Sequence, residues 1–259
     1  MIIDCHAHLS GDGDDVALSF GRNEKILAAA ERLGIDVMCT SILTRRRPAI
    51  PEEFRACNRI LAEYTRRYPG RVLGYAYVNP GYHREAIAEV RRCVEEYGFI
   101  GVKLYNEYKC TDPVVWPIIE TAIELRVPVL QHAGHSHYFN AAQPNISDGG
   151  DLAELAERYP EAILICAHVG GGGDWAWTIK ALRRAKNVYL DTSGSVFDDG
   201  MVDMAARVLG TDRLLFGCDL SYTAGIGKIR AAHFTEEERQ AVFAGNMQRI
   251  LAMRAGAAN

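Results

Sequence analysis

Residues 1–10 read MIIDCHAHLS, and how this stretch is read decides the rest of the chain. Ile2 and Ile3 are β-branched and lead straight into His6-Ala7-His8. Such residues favour strands, and strand side chains alternate faces, so His6 and His8 project together from one strand end. An isolated H-x-H is most often a pair of surface imidazoles. Two neutral imidazoles converging from one edge are also half of a metal site, and the remaining sequence has to choose.

Working outward, the same unit recurs. Short apolar runs follow at DVMCTSIL, RVLGYAYVN, FIGVKLY, PVLQHA, AILICAHV, VYLDTSG and RLLFGCDL, beginning near residues 36, 71, 99, 128, 162, 188 and 213. Segments with apolar residues three and four apart lie between them, among them FRACNRILAEYTRRYPG, REAIAEVRRCVEEYG and GMVDMAARVLG; that spacing predicts amphipathic helices. The final segment, TEEERQAVFAGNMQRILAMRAG, opens with Thr235 and has Glu238 three residues on, the pattern of a capping box. Several helices stop at Gly or Pro just before the next strand, as at Leu33-Gly34 and Tyr97-Gly98. Strands alternating with helices require a parallel sheet with right-handed crossovers. Eight such units in 259 residues, close to the ~250 typical of the eight-stranded barrel, predict an α/β fold: one (β/α)8 TIM barrel spanning residues 1–259 as a single domain.

Bulk composition narrows the function. The net charge of −4 and a pI near 6.1 leave no basic surface for nucleic acid. Seven cysteines, an odd number with no C-x-x-C pair, point to reduced thiols rather than a disulfide framework. No apolar run approaches the roughly 20 residues that cross a bilayer, and the N-terminus lacks the charged-then-apolar order of a signal peptide. The expectation is a cytoplasmic protein with a small-molecule substrate and no membrane or nucleic-acid partner, with a homo-oligomer left open.

In a barrel of this kind, function sits at the C-terminal ends of the strands. The apolar runs end in His6 and His8 on strand one, Lys103 on strand four, His132 on strand five, His168 on strand six and Asp219 on strand eight. Each has a duller reading. His132 is then a loop histidine, Lys103 snorkels to solvent, and Asp219 caps the next helix. Strands buried on both faces should be nearly continuous apolar runs, and burying unpaired charge is costly. Six ionisable groups at five strand ends therefore point to a shared cation.

These residues resemble the amidohydrolase superfamily of metal-dependent barrels along the whole chain. D-C-H-A-H, the strand-five His, A-H-V-G-G and F-G-C-D follow its order, and A-G-N-M-Q-R-I-L resembles its final helix. The G-x-K-L segment and G-C-D-L-S-Y ending look closest to the amidohydrolase-related branch, also called amidohydrolase 2. The resemblance implies His6, His8, His132 and Asp219 as metal ligands, with His168 as a general acid/base or a ligand of a second metal. Imidazoles plus carboxylate suit Zn²⁺ first, with Mn²⁺ or Fe²⁺ as alternatives and one or two ions per site. Lys103 would either be carboxylated and bridge two metals or contact substrate.

The first expected reaction is hydrolysis of a small ester, lactone or amide, in which the metal brings its bound water from a pKa of 15.7 to about 7. Asp219 and His168 would then be the catalytic pair. The alternative is non-oxidative decarboxylation of a small carboxylic acid. It ranks second because known decarboxylases of the branch tend to be longer and several carry Glu where this chain has His6. Substrate contacts are assigned to Lys103, Tyr105, His135 and His137, with Tyr138 beside them. Among Arg45, Arg46 and Arg47, at least two read as a solvated charge run. The glycines at 170–173 are expected to let backbone pass close to the site, and Cys166 to share the face of His168.

Overall fold

Each apolar run forms a strand. The computed structural model describes residues 1–11, 16–137, 141–169, 171–194, 196 and 198–255; Tyr138 and Gly170 lie outside these. β1 (Ile3–His8), β2 (Val37–Ser41), β3 (Val72–Tyr77), β4 (Gly101–Leu104), β5 (Val129–Gln131), β6 (Leu164–Cys166), β7 (Val188–Asp191) and β8 (Leu214–Leu215) make one parallel sheet in chain order. Its edges meet: the Cys5 N–H donates to the Phe216 carbonyl at 2.9 Å and the Asp219 N–H to the His6 carbonyl at 2.8 Å. The chain is a (β/α)8 barrel.

The intervening helices are α1 (Val16–Arg32), α2 (Pro51–Arg67), α3 (His83–Glu95), α4 (Trp116–Glu124), α5 (Gly149–Arg158), α6 (Trp175–Ala181) and α7 (Met201–Leu209). After β8 come α8 (Tyr222–Ala231), α9 (Glu236–Gln240) and α10 (Asn246–Ala255). The sequence reading passed over α8, because Gly225 and Gly227 weaken its helical signal. Gly225 is required there, since a Cβ would lie 2.9 Å from Cys218 Sγ. The last helix is not continuous either: a π-helical segment at Ala241–Gly245 separates α9 from α10. Its capping box does form, with Thr235 Oγ1 accepting from the Glu238 N–H and Glu238 Oε2 from the Thr235 N–H.

Two apolar layers follow from strand alternation. Ile3, Cys5, Cys39, Tyr75, Leu130, Ile165 and Leu215 fill the barrel, and Ala244, Met247 and Ile250 plug its lower end. Asn246 fixes that plug by donating to the carbonyls of Thr211 and Leu214 at 2.7 and 2.8 Å. Met38, Val102, Val129, Leu164 and Leu190 face outward against the helices. Cys166 belongs to this outer layer, not to the face of His168 as expected. Alternation breaks just beyond it, where His168 has φ +61° and turns back into the mouth. Asp219, at φ +46°, reaches the mouth in the same left-handed way. On β1 a register shift between Asp4 and Ala7 serves a similar end, keeping Cys5 in the interior layer just below His6.

Asp4 staples this closure. It is fully buried, and its Oδ1 accepts the N–H groups of His6 and Cys218, each at 3.0 Å. Burial pushes its carboxyl up to about 8. A group raised above its unfolded value of 3.8 favours folding fully below that value and loses the benefit as pH climbs toward 8. Asp4→Asn keeps the acceptor and cannot ionise. Its stability relative to the parent should therefore rise between pH 4 and 8 and level off above, as read by urea denaturation across that range. Asp4→Ala should cost about 2–4 kcal/mol near pH 4, because two buried N–H groups lose their acceptor, and since alanine cannot ionise either, that cost should shrink toward pH 8.

Candidate metal centre

The upper end of the barrel collects the ionisable strand termini. Among the described residues, His6, His8 and Asp219 each place a ligand atom within 4.8 Å of the other two. His8 Nε2 lies 3.3 Å from Asp219 Oδ1, matching the edge of about 3.3 Å expected between ligands bound tetrahedrally at 2.0–2.1 Å.

Both rings are aimed by what their other nitrogen does. His6 Nδ1 donates to Asp191 Oδ2 at 2.7 Å, with neither side chain exposed. His8 Nδ1 lies 3.2 Å from the Ser41 carbonyl and 3.0 Å from Ser41 Oγ. A ring whose Nδ1–H is held by a carboxylate or carbonyl presents a free Nε2 lone pair, the usual arrangement behind a metal-ligating histidine. Burial, then the charge of Lys103, lowers His6 and takes His8 down to about 3, so both are neutral donors at pH 7. The donor set fits a divalent cation.

Lys103 does not snorkel. It is completely buried, with Nζ 3.0 Å from His6 Nε2. Burial pulls its ammonium down to about 8 against the opposing pull of Asp219 and Asp191. Asp219 is not a helix cap either, since Ser221 holds that position for α8. Its carboxyl is pushed up to about 6 by burial, with Lys103 opposing.

His132 and His168 form the other side of the mouth. Ser193 Oγ lies 2.9 Å from His168 Nδ1, His168 Nε2 is 3.1 Å from His132 Nδ1, and His132 Nε2 is 3.1 Å from Gln143 Oε1. With Gln143 Oε1 accepting, the donors run in one sense from Ser193 through both imidazoles to a partly exposed loop residue. His168 Nδ1 also stands 3.8 Å from Asp219 Oδ2. Burial lowers both imidazoles, His132 to about 3, which makes this a chain of neutral hydrogen-bonding rings. His132 stands outside the mutually close set of His6, His8 and Asp219.

Tyr105 stacks on His132 with ring centroids 4.1 Å apart, and the Arg47 guanidinium lies 3.9 Å over Tyr105. Arg45 and Arg46 line a groove against α2 instead, so one arginine of the three reaches the site. His135 and His137 gather around Asp174 rather than joining the centre. The glycine run behaves as expected at Gly171 and Gly172 but not at Gly173: a Cβ on Gly172 would lie 2.2 Å from the His135 carbonyl and one on Gly171 2.9 Å from the Cβ of His168, whereas one on Gly173 would meet nothing within 4 Å.

Asp191 was missed in the sequence, although the apolar run of VYLDTSG gives way to a carboxylate just as that of RLLFGCDL does. A Cβ at Gly217 would lie 2.7 Å from Asp191 Oδ1, so the space for this carboxylate depends on glycine. Ser41, Gln143 and Ser193 carry no comparable signal. If Asp191 orients His6, Asp191→Asn should weaken divalent-metal affinity about 10–100-fold while the fold persists. Chelator competition read alongside circular dichroism checks this.

Comparison with known proteins places these features in context. A model of the amidohydrolase family (Amidohydro_2) matches residues 3–252. The chain is 24% identical over 241 residues to 2-keto-4-carboxy-3-hexenedioate hydratase of Sphingobium sp., covering 76% of this chain and 70% of that protein. It is 27% identical over 242 residues to gamma-resorcylate decarboxylase of Polaromonas sp., covering 72% and 73%. Among solved structures, a dihydroxybenzoic acid decarboxylase from Polaromonas sp., holding manganese and the inhibitor 2-nitroresorcinol, superposes with a TM-score of 0.74 at 21% identity, covering 97% of each chain. Since the family match runs through every strand of the barrel and takes in all the residues of its upper mouth, the chain belongs to the amidohydrolase family.

Proposed function

We propose that this chain is a metal-dependent lyase that removes carbon dioxide from a small hydroxylated aromatic carboxylate. The observation that carries the reading is a partly exposed acid set among cations and neutral rings. Asp219 lies 3.3 Å from His8 and 3.8 Å from His168, with the charge of Lys103 beside it, and Arg47 overhangs the mouth. A cation held by His6, His8 and Asp219, with His132 as the further ligand the family implies, would supply positive charge to the substrate's carboxylate and neighbouring oxygen. Manganese, present in the solved neighbour, and zinc both suit imidazole and carboxylate donors.

The remaining work falls to the chain. Lys103 and Arg47 bind an anion, and the Tyr105–His132 stack offers a flat wall to an aromatic ring. Decarboxylation breaks the C–C bond, leaves its electron pair on the ring carbon and releases carbon dioxide, so a proton must reach that carbon. A carboxyl group facing the bound ring can deliver it as a general acid. Asp219, whose side chain is 33% exposed, supplies it and regains one from solvent. Hydrolysis of an ester, lactone or amide, the first expectation from the sequence, falls behind because neither of the two relatives named above is a hydrolase by name. Hydration of an unsaturated carboxylate is a second reading, favoured by the Sphingobium relative; Asp219 would then act as the base.

The test is incubation of metal-loaded protein with ortho-hydroxybenzoates in heavy water. Carbon dioxide release with one deuterium at the vacated carbon is expected. Turnover of lactones or esters without carbon dioxide release would restore hydrolysis, and water addition to an unsaturated acid would select the hydratase. His168→Asn should lower kcat by about 10²-fold or more with metal content unchanged. Lys103→Ala should raise KM with the metal count per chain, read by plasma mass spectrometry, unchanged from the parent. Loss of one metal per chain relative to the parent would instead identify a carboxylated, bridging Lys103.

A further inference from the structure

A second set of donor atoms lies on the loops that follow β5 and β6. Among the described residues, His135, His137 and Asp174 each place a ligand atom within 4.8 Å of the other two. Asp174 Oδ2 is 3.0 Å from His137 Nε2 and 3.8 Å from His135 Nε2, bracketing the edge of about 3.3 Å that a tetrahedral ion imposes.

The surroundings hold these atoms in place. His135 Nδ1 donates to Asp148 Oδ2 at 2.8 Å, so in the neutral ring the Nε2 lone pair is free. The lone pair then faces the Asp174 carboxylate, another acceptor, and a cation between the two would satisfy both. Both carboxylates are fixed by their second oxygen. Asp148 Oδ1 accepts the N–H groups of Gly150 and Asp151 at the start of α5, and Asp174 Oδ1 that of Trp177 at the start of α6. Backbone bonds lace the loops together: the His135 N–H donates to the Gly171 carbonyl at 2.9 Å and the Asp174 N–H to the His135 carbonyl at 3.1 Å. The carboxylate behind His135 reproduces the arrangement of Asp191 behind His6.

We propose that His135, His137 and Asp174 form a second divalent transition-metal site, separate from the barrel centre, which takes Zn²⁺ or Co²⁺ and ties the β5 loop to the β6 loop. Two imidazoles and one carboxylate leave a position open to water, and the absence of a thiolate suits borderline ions. The site stands independently of the reaction assigned to the barrel.

Equilibrium dialysis of the full chain against Zn²⁺, followed by metal counting, tests it. His137 is 77% exposed, so His137→Ala leaves packing intact. Asp174→Asn keeps a good helix cap and removes the charge. The parent should bind about one more Zn²⁺ per chain than either variant, whatever the barrel holds. If the barrel centre takes no metal, the counts become about one and zero, so the two assignments fail separately. Asp148→Asn should weaken the outer site about 10–100-fold. The Trp177 ring lies 4.9 Å from His135, and Co²⁺ should quench its fluorescence in the parent but not in His137→Ala. Equal zinc content in parent and His137→Ala, or loss in His137→Ala without loss in Asp174→Asn, would overturn the site.

Discussion

His6 and Asp191 meet at 2.7 Å with both side chains sealed from solvent, and the upper barrel is organised around that contact. It joins the first strand to the seventh, across the seam where the sheet closes. The Ser193 N–H holds the other oxygen of Asp191 at 2.5 Å, so the carboxylate is fixed from two directions. A ring held at Nδ1 in this way has only Nε2 to offer, and that atom faces Lys103. Moving Asp191 would therefore release His6, and through it the geometry shared with His8 and Asp219.

Desolvation shapes the charges gathered there. Burial raises carboxylates and lowers ammonium and imidazolium groups, and all of these share one small volume. Asp219 and Lys103 are pushed toward neutrality from opposite directions, each restrained by the other's charge. The imidazoles resolve the conflict by staying neutral. The barrel end is thus a poor place for several fixed charges and a good one for a single ion balanced by a carboxylate.

Strand positions and the polar residues that end them were legible in the sequence because both follow from period and burial. His6, His8, Lys103, His132, His168 and Asp219 all come to the mouth as the barrel requires. What the sequence concealed has local causes. Helix α8 is masked by two glycines, one of them needed for its approach to Cys218. Cys166 was placed on the wrong face because alternation was carried through His168, whose left-handed backbone no glycine announces. Asp191 went unnoticed beside more conspicuous imidazoles. The grouping of His135 and His137 with Asp174 depends on how two loops lie against each other, which no spacing rule expresses. The choice of reaction was harder still, because one family of sites supports several chemistries.

The left-handed backbone at His168 and Asp219 also limits how this protein can diversify. A positive φ is tolerated best by glycine, and then by asparagine, aspartate and histidine, whereas β-branched residues resist it. Substitutions at these two positions are therefore filtered by main-chain conformation before their chemistry is exercised. A library randomised at both would recover few valines, isoleucines or threonines even if activity were never selected. The residues nature has available for new reactions at this mouth are, to that extent, chosen by the turn that presents them.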